Sequence, residues 1–112
     1  MKFDVELSEN FKKEAKKLLK KYPSLKNELA KLFKELETNP KLGTSLGDGI
    51  FKIRIAIGSK NKGKSGGARV LSFVQVISDK VLLFSIYSKG EINNITDKQI
   101  RNLIKEHKEQ KA

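Results

Sequence analysis

The chain has 112 residues and carries 24 Lys and Arg against 13 Asp and Glu, a formal net charge of +11. That length fits one domain with one core, and that charge points to a polyanionic partner such as nucleic acid, acidic lipid or an acidic protein. There is no cysteine, which excludes disulfides and a thiol nucleophile, and no apolar run is long enough for a membrane-spanning helix.

The first eleven residues, MKFDVELSENF, lack the apolar stretch of a signal peptide, so a cytoplasmic location is expected. Within them KFDVEL (2–7) alternates as a strand does. Phe11, Ala15, Leu18, Leu19 and Tyr22 then recur at helical spacing, and Leu25, Leu29, Leu32, Phe33 and Leu36 repeat the same offsets. Pro23-Ser24 separates the two sets, with Pro23 opening the second helix or sitting just before it. The spacing predicts an antiparallel helical hairpin with one buried stripe per helix and lysine-rich outer faces. Asn39-Pro40 ends the second helix, because the residue before a proline avoids the helical region. A loop containing Gly43, Gly47 and Gly49 follows.

Ile50 to Ile57 is the clearest strand, with Phe51, Ile53, Ile55 and Ile57 on one side and Lys52 and Arg54 on the other. Ala68–Val76 and Val81–Ser88 are more continuously apolar, as central strands are, and Ser78-Asp79-Lys80 can join them only as an antiparallel hairpin. Asp48 and Asp79 read as turn residues. Thr96 or Asp97 caps a last helix with apolar positions Ile100, Leu103 and Ile104. His107, the single histidine, continues that spacing and reads as a packing or helix-end residue. The expected fold is α+β, in the order βααβββ(α): a small, antiparallel-rich sheet with a two-helix hairpin on one face, in a single domain over residues 1–112.

Charge is spread unevenly. Segment 8–38 has nine lysines but also five glutamates, whereas Gly49 to Ser78 has no acid and holds Lys52, Arg54, Lys60, Lys62, Lys64 and Arg69. Inside that second segment, GSKNKGKSGGARV (58–70) fits the phosphate-loop pattern G-x-x-x-x-G-K-[ST] through Gly58, Gly63, Lys64 and Ser65. A genuine phosphate loop opens a helix, yet two glycines and then ARVLSFVQV follow, a β-branched and aromatic run. Each glycine in a first helical turn would also cost roughly 1 kcal/mol relative to alanine. The match is therefore read as accidental, and the loop as a lysine-weighted connection between antiparallel strands. With Lys52, Arg54 and Arg69 it forms a cationic patch across an open sheet face, which suits RNA phosphates.

The run LETNPKLGTSLGDGIFKIRIAIG, then GKSGGARVLSF and SIYSKGEINNITDKQI, resembles the RelE/HigB superfamily of bacterial toxins from type II toxin–antitoxin systems, and within it the HigB-like members. The likeness covers about residues 3–104. It implies the same two-helix, antiparallel-sheet fold. It also implies a ribosome-dependent endoribonuclease that cuts mRNA in the decoding site, inhibits translation and is neutralised by a cognate antitoxin protein. No metal and no cofactor are implied; the RNA 2′-hydroxyl attacks the adjacent phosphate and leaves a 2′,3′-cyclic phosphate.

That reaction needs a base, stabilisation of the pentavalent phosphate and an acid for the departing 5′-oxygen. Crowded lysines can act as acid and base because mutual repulsion lowers their pKa. By resemblance the catalytic set is Lys52, Lys62, Lys64 and Arg69, with Arg69 as the phosphate clamp. Arg54, Lys60, Tyr87 and Lys89 are the expected RNA-binding residues, Tyr87 by stacking on a base. Family members carry a catalytic arginine near Lys89, where this chain continues with Gly90. Two alternatives remain at this point: a ParE-like toxin of the same fold that targets gyrase, and an inactive member that only binds RNA or an antitoxin.

Overall fold

A computed structural model of the chain describes residues 2–57, 67–88 and 96–111, without the side chains of residues 97 and 106–111. In chain order the elements are β1 (Asp4–Leu7), α1 (Glu9–Lys21), α2 (Leu25–Thr38), β2 (Thr44–Gly47), β3 (Ile50–Ile55), β4 (Ala68–Gln75), β5 (Lys80–Ser88) and α3 (Asp97–Lys111). The fold is α+β, three helices on a five-stranded mixed sheet ordered β1-β5-β4-β3-β2. β1 pairs parallel to β5, and the other neighbours are antiparallel.

Helix boundaries follow local chemistry. Ser8 Oγ accepts the Phe11 N–H at 3.0 Å and caps α1. Pro23 sits in the turn before α2, and Asn39 is that helix's C-cap. Thr96 is the cap of α3: its Oγ1 accepts the Gln99 N–H at 3.2 Å, while the Thr96 N–H donates to Gln99 Oε1 at 2.9 Å, a reciprocal capping box. Among the described residues no helix is long and apolar enough to cross a membrane.

The hairpin carries the chain from one sheet edge to the other and buries its stripe on one face. Phe11, Ala15, Leu18, Leu25, Leu29, Leu32 and Leu36 pack there against Ile53, Ile55, Val70, Val81, Leu83 and Ile86. A second cluster fills the opposite face, where Ile100 of α3, flanked by Leu103 and Ile104, meets Ile50, Leu71, Leu82, Phe84 and Tyr87. The sheet is thus covered on both sides, and the open face expected from the sequence is narrowed to what α3 leaves free. A further correction is β2, expected as loop: Thr44 and Ser45 pair with Lys52 and Phe51. Its four residues TSLG are all exposed, so no apolar alternation announces them. Asp48 and Asp79 turn with φ of 53° and 52°, a conformation that aspartate tolerates.

β5 has nine residues and β1 only four, so β5 loses its outer neighbour beyond Leu83. Its register also shifts there, with Leu71 opposite Ser85 and Ser72 opposite Leu83, which leaves Phe84 as the extra residue of a bulge. Side chains of α1 replace the missing strand. The Phe84 carbonyl accepts from Asn10 Nδ2 at 3.0 Å and from Ser8 Oγ at 3.4 Å. Glu14 Oε1 accepts from Asn10 Nδ2 at 2.7 Å, the Ser85 hydroxyl at 2.9 Å and the Ile86 N–H at 3.4 Å.

Burial pushes the Glu14 carboxyl above its usual value, against the opposing pull of these hydrogen bonds and of Lys17. A raised folded-state value means that ionised Glu14 opposes folding, and that this penalty grows as pH rises from about 4.5 through the folded pKa. Chemical denaturation across pH should therefore find Glu14→Gln, which keeps the acceptor oxygen, more stable than the parent at pH 7 and equal to it in acid. Glu14→Ala strands the Ser85 and Ile86 donors and should cost about 1–3 kcal/mol. On β4 the Ser72 hydroxyl is buried without a hydrogen-bond partner among the described residues. Ser72→Ala should raise stability by about 1 kcal/mol in the same assay.

Candidate nucleic-acid interface

β3 alternates between core and surface, so Lys52 and Arg54 turn away from the hairpin face that holds Ile53 and Ile55. The antiparallel register sets Arg54 opposite Arg69 and Arg69 opposite Tyr87. Directly opposed residues share a sheet face. Arg54, Arg69 and Tyr87 therefore form one cross-strand row, about 10 Å from first to last at the usual strand spacing. Lys52 lies one row back, opposite Leu71.

Gly67 makes this row possible. A Cβ at that position would run into the Ile55 carbonyl oxygen, so only glycine lets the two strands pair from Ala68 onward. Its neighbours in sequence suggest a turn glycine; its role is close backbone approach. The residues after it form a strand and not a helix, which removes the nucleotide-loop alternative.

The members of the row differ in access. Arg54 is exposed and Lys52 half-buried, whereas Arg69 is 6% and Tyr87 3% exposed. The Arg69 guanidinium folds back so that Nη1 donates to the Ala68 carbonyl at 3.3 Å. The solvent-facing clamp expected at Arg69 is thus an inner cation behind Arg54. Burial pushes the Tyr87 phenol above its usual value, and the neighbouring Arg69 charge draws it part of the way back. A cation in a poorly hydrated position acts more strongly on an anion that reaches it than one in water does. The row can therefore attract a polyanion through Arg54 and hold its charge through Arg69.

Lys52 and Arg54 also border a groove of about 390 Å³ between α2 and the part of β3 that runs past the end of β2. Glu28, Lys31 and Glu35 of α2 line its other side, a charge-mixed wall in which Lys31 lies 3.9 Å from Glu28. α3 limits the opposite side through Ile100 and through Arg101, 4.0 Å from Asp48 of the β2–β3 turn. Lys60, Lys62, Lys64, Lys89, Gly90 and the side chain of His107 lie outside the described residues. Among the described residues no three His, Cys, Asp or Glu side chains cluster as metal ligands would.

Sequence reasoning does not find the polar group set by Glu14, Asn10 and Ser85, which fixes the strand carrying Tyr87. The local signal is an acid among lysines on α1, and nothing nearby marks it as turned inward.

The family model described as the RelE toxin of the RelE/RelB toxin–antitoxin system matches residues 6–111. Among solved structures the chain is similar to an E. coli RelE toxin, an arginine-to-alanine double mutant in the free state. The sequence identity is 17% and the TM-score 0.63, covering 95% of this chain and 98% of that one. At that identity the structural likeness speaks for the fold.

The pairing of Arg69 with Tyr87 can be tested directly. Ultraviolet titration of the parent minus Tyr87→Phe should place the Tyr87 phenol above 10.0. Arg69→Gln removes the nearby positive charge and should move it higher still. A downward shift in Arg69→Gln would refute the contact.

Proposed function

The chain belongs to the RelE toxin family of toxin–antitoxin systems, and from that premise we propose that it is a ribosome-dependent mRNA endoribonuclease working without a metal. The observation that carries this reading is the cross-strand row Arg54–Arg69–Tyr87 with Lys52 beside it. Lys60, Lys62 and Lys64 belong to the nine residues that join Ile57 to Gly67 in sequence. In this reading the mRNA backbone crosses the row and the ribosome holds the codon so that the 2′-hydroxyl lies in line with the scissile phosphate.

Arg69 stabilises the charge that builds on the non-bridging oxygens, and Arg54 takes a neighbouring phosphate. Lys52, Lys62 and Lys64 supply the proton transfers, one removing the 2′-hydroxyl proton and another protonating the 5′-oxygen as it leaves. The 2′-oxygen to phosphorus bond forms as the phosphorus to 5′-oxygen bond breaks, which gives the 2′,3′-cyclic phosphate. Tyr87 supports a base or the Arg69 side chain, and Lys89 adds charge to the backbone path. The GKSGGAR loop supports a HigB-like subtype. The partners are ribosome-bound mRNA, the ribosome and a cognate antitoxin, in the cytoplasm.

A reconstituted translation system with mapped RNA ends tests this. The parent should cut within codons and leave cyclic phosphate ends, and a 2′-deoxy nucleotide at the cleaved position should stop the reaction. Arg69→Ala should lower the rate about 10²–10³-fold, as loss of a preorganised charge stabiliser does. The Lys62→Ala/Lys64→Ala double variant should also be impaired. Equal cleavage by all three proteins would remove these residue roles. Undisturbed translation together with inhibited gyrase would favour a ParE-like activity.

A further inference from the structure

The β1 edge of the sheet presents apolar surface in two pieces that lie side by side. Among the described residues three large apolar side chains are exposed, and two of them, Val76 and Ile77, form the tip of the β4–β5 turn, with Ile77 standing fully in solvent. The tip is fixed to β1. The Asp79 N–H donates to the Val76 carbonyl at 3.2 Å, the Asp79 carbonyl accepts from the Asp4 N–H at 2.8 Å, and Lys80 lies 3.0 Å from Glu6. Beside the tip, between β1 and α2, runs a cleft of about 750 Å³. Its walls are Phe3, Val5, Leu7 and Phe33, all half-buried, and Lys34 and Glu37 stand at its rim.

A protruding isoleucine and an apolar cleft on one edge are a knob and a hole. A patch that holds both is self-complementary, so a two-fold axis lets each copy seat its tip in the cleft of the other, and the contact closes. The turn is already held in shape, so little ordering remains to oppose docking. Apolar surface rimmed by polar groups in this way marks a protein contact.

Charge selects the occupant. The chain has a net charge of +11. Around the tip and the cleft, however, stand four acids, Asp4, Glu6, Glu37 and Asp79, against Lys34 and Lys80. Nucleic acid, anionic lipid and acidic peptides are drawn to the cationic surfaces and not to this acid-richer edge. Two copies of a strongly basic chain meet here through a patch of both signs, in which Lys34 of one can face Asp79 of the other.

We propose that this edge is a homodimer interface, in which Ile77 of each copy enters the cleft between Phe3 and Phe33 of a second copy. Lys80, at the tip end of β5, is seven residues from Tyr87, about 23 Å along the strand. Both copies therefore keep the Arg54–Arg69–Tyr87 row open, and the interface stands independently of the ribonuclease reading.

Sedimentation velocity from about 1 μM to 1 mM, the window of a small transient interface, tests this. The parent should pass from monomer to dimer and stop there. Its association should strengthen between about 0.05 and 0.5 M salt, as repulsion between two chains of charge +11 is screened. Ile77→Ser removes a side chain that the monomer leaves in solvent. It should weaken the dimer about a hundredfold, since symmetry takes that side chain away twice. Leu46→Ser alters the third exposed apolar side chain, on β2 at the other edge of the sheet, and should stay within about twofold of the parent. Circular dichroism checks the fold of both variants. Because the chain has no cysteine, Ile77→Cys and Lys34→Cys proteins can be mixed and oxidised. A disulfide should link the two variants to each other more than either links to itself.

A parent that stays monomeric at the highest concentration, equal weakening by Leu46→Ser, or a mixture that links no better than its components would overturn the proposal. So would masses beyond twice the monomer, which mean an open contact, or association that salt dissolves, which means a bridging polyanion. Cosedimentation of polyglutamate, polylysine or phosphatidylserine vesicles with the parent, lost in Ile77→Ser, would assign the edge to another partner and overturn it as well.

Discussion

Strand β5 has to be paired on both sides, and β1 is too short to do it. Five residues of β5, Phe84 to Ser88, continue past the last β1 partner, and an open edge leaves backbone groups unsatisfied. The solution is the polar set on the first two turns of α1. Ser8 and Asn10 donate to the Phe84 carbonyl, and Glu14 accepts from Ser85 and Ile86. This set ties the helical hairpin to the sheet at its bulge. It also holds a carboxylate where burial disfavours its charge, so a local opposition to folding supports the geometry of the whole strand.

The candidate interface depends on that anchor. Tyr87 follows the bulge, so the register beyond Phe84 decides which β4 residue it faces, and that residue is Arg69. Gly67 performs the matching task on the other side, because the absence of its Cβ lets β4 close onto β3 and align Arg69 with Arg54. Three strands therefore contribute one residue each to a row that no stretch of sequence contains. α3 completes the arrangement from above with few apolar contacts, since Ile100 is buried while Leu103 and Ile104 are half-buried.

Electrostatics divides the surface by element. Within the acid-free stretch from Gly49 to Ser78, Lys52, Arg54 and Arg69 lie on the sheet face of the interface, and the lysine pairs Lys12-Lys13, Lys16-Lys17 and Lys20-Lys21 belong to α1 on the far side. α2, between them in sequence, is charge-balanced. Net charge alone would treat all these lysines alike. Their placement separates exposed cations such as Arg54 from Arg69, whose guanidinium is enclosed.

Much of this fold is legible in the amino-acid sequence. Apolar residues at a 3.6-residue period place α1 and α2, alternation places β3, and Asn39-Pro40 and Pro23 mark the helix limits, because these signals are local to a few turns of chain. The ARVLSFVQV run after the glycines shows by its β-branched and aromatic residues that a strand follows, and the combined NP, KIR and GKSGGAR segments carry the family resemblance. Residues without a local pattern escape such reading: β2 has no apolar face, and Glu14 looks like any other helix acid until β5 is beside it. Local patterns thus settle the elements, the class of fold and the chemistry available on β3 and β4. Packing in three dimensions settles the rest: Arg69 is buried against Tyr87, α3 covers part of the expected open face, and α1 shows its lysines on the opposite side. Register, burial and facing are relations between distant segments, set by packing and backbone pairing across the sheet, and local periodicity carries no record of them.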